Sequence, residues 1–136
     1  MLQPKKMKHR KWQKGRSRKR DVETRGVSLS FGSYGLQAMS MSYIDSKQIE
    51  AARKAISRFT KKGGKFWIRI FPDKPITQRP PELTMGSGKG SVDHYVFPVK
   101  SGRMLFEMDG VPREQAIEAL TNAGHKLPVK TRIVEK

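Results

Sequence analysis

DSKQIEAARKAISRFTKKGGKFWIRIF, residues 45–71, is the stretch whose reading decides the fold class. Its first half has helical periodicity. Ile49, Ala52, Ile56 and Phe59 recur at spacings of three, four and three, which sets them on one face of a 3.6-residue turn. Asp45, with Gln48 three residues later, forms a capping-box pattern at the start. Lys61 and Lys62 followed by Gly63 read as a basic last turn with a glycine stop. Arg53, Lys54 and Arg58 fall on the face opposite the apolar stripe. Such charges are ordinarily just a solvated face. Here Lys61, Lys62 and Lys65 extend the patch, and no acid stands between Glu50 and Asp73. The second half, residues 65–71 (KFWIRIF), is rich in aromatic and β-branched residues and apolar on both faces except at Arg69, the pattern of a strand central in its sheet.

Working outward, residues 27–31 and 36–41 read as strands around the hairpin-like break Gly32-Ser33-Tyr34-Gly35. Phe71-Pro72-Asp73-Lys74-Pro75 ends the KFWIRIF strand. Residues 92–99 and 103–108 look like an antiparallel pair joined at Lys100-Ser101-Gly102. Pro112 sits where a first helical residue is tolerated, Ala116, Ile117, Leu120 and Ala123 make a second apolar face, and Gly124 stops it. Residues 129–134 form a short closing strand. Strands and two helices that do not alternate strictly predict an α+β fold, an antiparallel sheet with two helices packed on it.

Charge is the strongest compositional signal. Lys and Arg number 29 against 12 Asp and Glu, a formal +17 on 136 residues. Such a surplus repels itself in a compact state unless a polyanion neutralises it, and nucleic acid is the usual polyanion for a small domain. An anionic membrane surface is the second candidate. Ten of the cations stand in the first twenty residues, with no acid among them: Lys5, Lys6, Lys8, Arg10, Lys11, Lys14, Arg16, Arg18, Lys19 and Arg20. A block of this kind is expected to stay unstructured until a counter-charged partner orders it. Trp12, among these cations, is placed either to stack on a base or to anchor the tail on the domain, and the sequence leaves both open. The division expected is a basic RNA-binding extension over residues 1–25 and a single α+β domain over residues 26–136.

The chain has no cysteine, so disulfides and Cys-based zinc sites are excluded. No apolar run reaches the ~18 residues of a membrane span, and no apolar block follows the basic start as a secretory signal requires. A transit peptide is a weaker reading of the tail, which is Lys-rich and contains Pro4 and Gly15. The expected location is the cytoplasm.

The loop 79–91 (RPPELTMGSGKGS) invites a phosphate-loop reading that its spacing rejects. Leu83 stands at the first-glycine position of a Walker A loop, Gly90 follows Lys89 in place of Ser or Thr, and GxGxG is not GxGxxG. A strand rather than a helix follows, so no helix N-terminus waits for a phosphate. Glycines at 86, 88 and 90 instead let backbone N–H groups approach a phosphate or base closely, with Lys89 as a point charge; a flexible surface loop is the bland alternative. His9, His94 and His125 have no carboxylate at ligand spacing, and no nucleophile, base and orienting group can be assembled. Neither catalysis, a metal nor a cofactor is expected.

Several segments together resemble one family. Met1-Leu2-Gln3-Pro4-Lys5 with its basic run, Gln48-Ile49-Glu50-Ala51-Ala52-Arg53, and GKFWIRIFPDKPITQRP over residues 64–80 are similar to the bacterial-type large-subunit ribosomal protein L-sixteen family. So are Met85-Gly86 with Gly88-Lys89-Gly90, Glu107-Met108-Asp109-Gly110-Val111-Pro112, and Lys126-Leu127-Pro128. The resemblance covers nearly the whole chain. It implies a hammerhead-like α+β fold in the large ribosomal subunit, binding to large-subunit (23S-type) rRNA, contact with neighbouring ribosomal proteins and with tRNA at the aminoacyl site, and no membrane or small-molecule partner. A cytoplasmic ribosome is implied, with an organellar one left open. On that basis the rRNA-binding set is Lys5, Lys6, Lys8, Arg10, Lys11, Trp12, Lys14, Arg16, Arg18, Lys19, Arg20, Arg53, Lys54, Arg58, Lys61, Lys62, Lys65, Arg69 and Lys74. Arg79, Met85, Gly86, Ser87, Gly88, Lys89 and Gly90 correspond to the loop pointing toward the peptidyl-transferase centre and tRNA. Three departures stand out. Ser87 replaces a typical lysine, Thr84 stands where some members carry an arginine that is hydroxylated, and residues 16–25 are unlike the family pattern. Two rival readings, a free-standing nucleic-acid-binding protein and a nucleotide-using enzyme, are separated from this one by cofractionation with large subunits and by nucleotide binding.

Overall fold

The computed structural model describes residues 1–15, 22–60 and 63–136. Arg16, Arg18, Lys19, Arg20, Lys61 and Lys62 therefore lie outside the described residues. The capping box forms as its spacing predicts. Asp45 Oδ1 accepts from the Gln48 N–H at 2.8 Å, and Gln48 Oε1 accepts from the Asp45 N–H at 3.1 Å. Helix α1 (Ser46–Ser57) follows and buries Ile49, Ala52, Ala55 and Ile56. It ends before the lysines expected to close it. The Ser57 and Thr60 hydroxyls donate to the Lys54 and Ile56 carbonyls at 3.1 and 2.9 Å and satisfy the last turn locally. Phe59, read as part of the helical face, still packs on the core from just beyond the helix.

The strands divide into two antiparallel sheets rather than one. Strands β1 (Tyr34–Ala38), β3 (Lys65–Ile68), β6 (Met104–Asp109) and β7 (Thr131–Glu135) make a four-stranded sheet in the order β3-β6-β1-β7. Strands β2 (Ser42–Asp45), β4 (Lys74–Gln78) and β5 (Ser91–Val99) make a second sheet in the order β2-β5-β4. The pair read as a β5–β6 hairpin is thus split between sheets. The end of β1 captures the connecting turn: the Gly102 N–H donates to the Ala38 carbonyl at 2.7 Å, and the Ala38 N–H donates to Arg103 at 2.8 Å. Strand β4 lies where the sequence reads as a break. It tolerates Pro75 because it is an edge strand, bonded only to β5.

Helix α2 (Arg113–Gly124) starts one residue after Pro112 and turns Ala116, Ala119, Leu120 and Ala123 inward. The three alanines among them let α2 lie close to α1, and both helices cover one face of the four-stranded sheet. Leu36, Phe106 and Met108 meet them there within a single apolar core. Gly124 is tightly placed, since a Cβ there would come within 2.6 Å of Thr131 Oγ1.

Residues 22–33 cover the other face of this sheet as an extended layer, held by side chains and by a few main-chain bonds, among them the Met104 N–H to the Gly26 carbonyl at 2.7 Å. Residues 27–31 are not the strand their pattern predicts. The N–H groups of Ser30, Phe31 and Gly32 bond to the Glu107 carboxylate instead of a neighbouring strand. This cover also corrects the placement of KFWIRIF. Strand β3 is an edge strand paired only with β6, yet it is apolar on both faces. Phe66 and Ile68 pack toward the helices, while Trp67 stacks on Phe31 of the cover with ring centroids 5.9 Å apart. Two covering layers, not a central position, explain the double-sided pattern.

Candidate nucleic-acid interface

The cations expected to face RNA fall into three groups. In the first, Lys5, Lys6, Lys8, Arg10, Lys11 and Lys14 are all exposed on a segment without helix or strand. This segment lies against the domain. Leu2 packs on the core, and Lys11 Nζ donates to the Lys89 carbonyl at 3.1 Å. In return Lys89 Nζ donates to the Trp12 carbonyl, and Lys74 Nζ donates to the Lys14 carbonyl at 3.0 Å. Residues 11–14 are thereby strapped across the three-stranded sheet, and Trp12 keeps 37% of its surface exposed.

The second group lies on α1 and the start of β3. Lys54, Arg58 and Lys65 are exposed. Arg53 is paired with Glu50 one turn earlier, its Nε donating to Oε2 at 3.0 Å. That pairing lowers the Glu50 pKa, chiefly through the Arg53 hydrogen bond, and raises that of Arg53.

The third group is the loop over residues 79–91. Arg79 grips it from its base, with Nη2 donating to the Thr84 and Gly86 carbonyls at 3.1 and 2.6 Å. Gly86, Ser87 and Gly88 have φ of 105°, 64° and 97°, so the tip runs through consecutive left-handed residues. Gly90 is needed for a different reason, since a Cβ there would come within 2.8 Å of the Gln78 carbonyl oxygen. Met85 is 97% exposed at the tip. The loop is therefore braced at its base and open at its end.

Arg69 departs from the expected set. Its side chain is only 15% exposed, and its guanidinium is paired with Glu107, which is fully buried. Arg69 also donates to the Ser28 carbonyl at 3.2 Å and lies 5.4 Å from the Phe31 ring centre. Burial pushes the Glu107 carboxyl up. The Gly32 N–H, the Arg69 guanidinium and the N–H groups of Phe31 and Ser30 outweigh that and hold it below its ordinary value. This charge is used to fasten the cover layer.

Other residues were not read from the sequence. Tyr43 receives a hydrogen bond from Lys74 Nζ at 2.9 Å, and the same ammonium lies 4.7 Å from the Tyr43 ring centre. Arg103 lies 5.1 Å from the Phe97 ring centre and donates to the Arg25 and Arg69 carbonyls at 3.3 and 3.1 Å, joining the cover to both sheets. For Glu107 a signal existed. A lone carboxylate in an apolar strand (MLFEMD), beside a lone arginine in another (KFWIRIF), already suggests an internal pair.

Among the described residues, no group of three or more His, Asp or Glu side chains is placed to hold a metal ion, and no helix is long and apolar enough to cross a membrane. The fold is an α+β scaffold with exposed cations, the form of a structural protein that sits among polyanions. The chain belongs to the ribosomal protein L16p/L10e family, whose model matches residues 4–134. It is accordingly a structural, non-enzymatic component of the large ribosomal subunit, in the cytoplasm or an organelle, in association with large-subunit rRNA and other ribosomal proteins.

Proposed function

We propose that residues 1–25 form an RNA-binding extension of the domain over residues 26–136, and that extension, α1 cations and loop together bind large-subunit rRNA. In this reading the loop 79–91 reaches toward the peptidyl-transferase region, helps organise the aminoacyl-tRNA site and contacts tRNA there. The observation that carries it is the pairing of six exposed extension cations with a braced loop whose tip is bare. The mechanism is neutralisation of phosphates by Lys and Arg, with glycine-loop backbone following RNA shape. Arg69 is left out of the contacting set because its charge is already matched inside the fold.

Replacing Lys5, Lys6, Lys8, Arg10, Lys11 and Lys14 with Gln tests the extension. Binding of an rRNA fragment should lose about 4 to 5 from its log–log salt slope; an unchanged slope refutes the extension as a phosphate contact. For the loop, the absence of cysteine makes Met85→Cys a single labelling site. A photoreactive probe there, in subunits carrying aminoacyl-site tRNA, should cross-link to rRNA and tRNA. Cross-links to protein alone would contradict the reading.

A further inference from the structure

The outer face of the three-stranded sheet carries a cleft of about 470 Å³ lined by aromatic, polar and cationic side chains and by one carboxylate, Asp45, whose Oδ1 is engaged by the Gln48 N–H. Strand register brings its floor together. Lys74 and Asp45 both stand opposite Val96, and Ile76 stands opposite His94. Trp12, Gln13 and Lys14 of the extension form one wall, with Tyr43 and Lys89 completing the rim. A cavity of this size is in the range of about 300–1,000 Å³ that encloses a small ligand.

We propose that this cleft receives one unpaired base of an RNA strand, stacked on Trp12, with the flanking phosphates held by Lys74 and Lys89. The inference rests on the rRNA-binding reading and names a specific contact within it. Charge identifies the occupant. Among the described residues neither Lys74 nor Lys89 is in a salt bridge with a carboxylate. Both ammonium groups are bonded instead to neutral peptide carbonyls of the extension, those of Lys14 and Trp12. A phosphate oxygen replacing such a carbonyl keeps the hydrogen bond and adds the attraction of an opposite full charge, which a neutral carbonyl cannot supply. Tyr43 holds the Lys74 ammonium beside the cleft through its hydroxyl and ring, so that cation is oriented before any ligand arrives.

Stacking decides between single strand and duplex. A paired base has both faces occupied, whereas an unstacked base offers a face to an aromatic ring. Trp12 lines the cleft and is partly exposed, and its main-chain carbonyl is the acceptor that Lys89 would release. Entry of a nucleotide therefore loosens the strap over residues 11–14 while giving its tryptophan a partner.

The chain has two tryptophans, so Trp67→Phe leaves Trp12 as the only indole reporter. Titration of this full-length variant with single-stranded hexaadenylate should quench its emission saturably, and an RNA duplex of equal length should not. Trp12→Ala should weaken binding of fluorescently labelled hexaadenylate by roughly 5- to 150-fold, the range of one base–aromatic stack. Trp12→Phe should restore most of it. Equal quenching by single strand and duplex, or unchanged hexamer affinity in Trp12→Ala, overturns the proposal. If an rRNA fragment still binds with its full salt slope in that case, the general rRNA reading survives. Failure of the fragment to bind at all removes both.

Discussion

Glutamate 107 offers the sharpest test of how this fold is held. Its Oε1 accepts from Ser30, Phe31 and Gly32 N–H groups at 2.9, 3.1 and 3.1 Å, while Oε2 meets Arg69. Replacing Glu107 with Ala leaves three backbone donors without an acceptor and a mostly buried guanidinium without its counter-charge, bonded only to the neutral Ser28 carbonyl. Breaking one side of a buried ion pair costs about 3–5 kcal/mol, since the partner charge stays desolvated. With a urea slope of about 1.5–2 kcal/mol per molar, the midpoint should fall by roughly 1.5–3 M. Glu107→Gln keeps the shape and one acceptor oxygen, and should cost about 1.5–3 kcal/mol through loss of the charged bonds. The direction with pH follows from the lowered carboxyl pKa. The stabilisation is complete above the ordinary value of 4.5 and is lost as pH falls from there through the lower folded-state value. Glu107→Gln should lack that component of acid destabilisation. Urea melts followed by circular dichroism at several pH values read both effects. An alanine variant whose midpoint lies within about 0.3 M of the parent would show that the cover layer does not depend on this carboxylate.

Three further outcomes are expected. Asp45→Ala removes the side-chain half of the capping box and should cost about 1 kcal/mol in urea unfolding, whereas Asp45→Asn should cost far less. Arg79→Ala releases the Thr84 and Gly86 carbonyls, so amide exchange across residues 84–88 should quicken while the melting temperature hardly moves; unchanged exchange would show that the loop is braced elsewhere. Leu120→Ala opens a hole in the packed core beneath α2 and should cost about 2–5 kcal/mol by urea unfolding.

Residues 45–71 show how far local pattern reaches. The helix start, its cap and its buried stripe were legible because each depends on residues within one or two turns. Its end was not, since Lys61, Lys62 and Gly63 promised a stop that nearer hydroxyls supply first. The glycine spacing of the 79–91 loop rejected a nucleotide fold without help from the structure. Arg79's role as its brace was invisible, because the carbonyls it grips become neighbours only when the loop closes. The candidate cations were read largely from composition, and composition cannot separate Lys54, which is exposed, from Arg69, which is turned inward.

The amino-acid order by itself determined the α+β class, the first helix, the absence of thiol chemistry, the cationic surplus and the resemblance to a ribosomal family. Only the tertiary structure decided that the strands form two sheets, that residues 22–33 cover one of them, and that residues 11–14 lie across the other. The physical reason is range. Helical periodicity and capping are satisfied between near neighbours, whereas strand pairing and buried charge matching join residues such as Arg69 and Glu107 across 38 positions. A strand's alternation tells which face is buried but not what buries it, and here a helix layer and an extended segment outside any strand pairing perform the same task on opposite faces of one sheet.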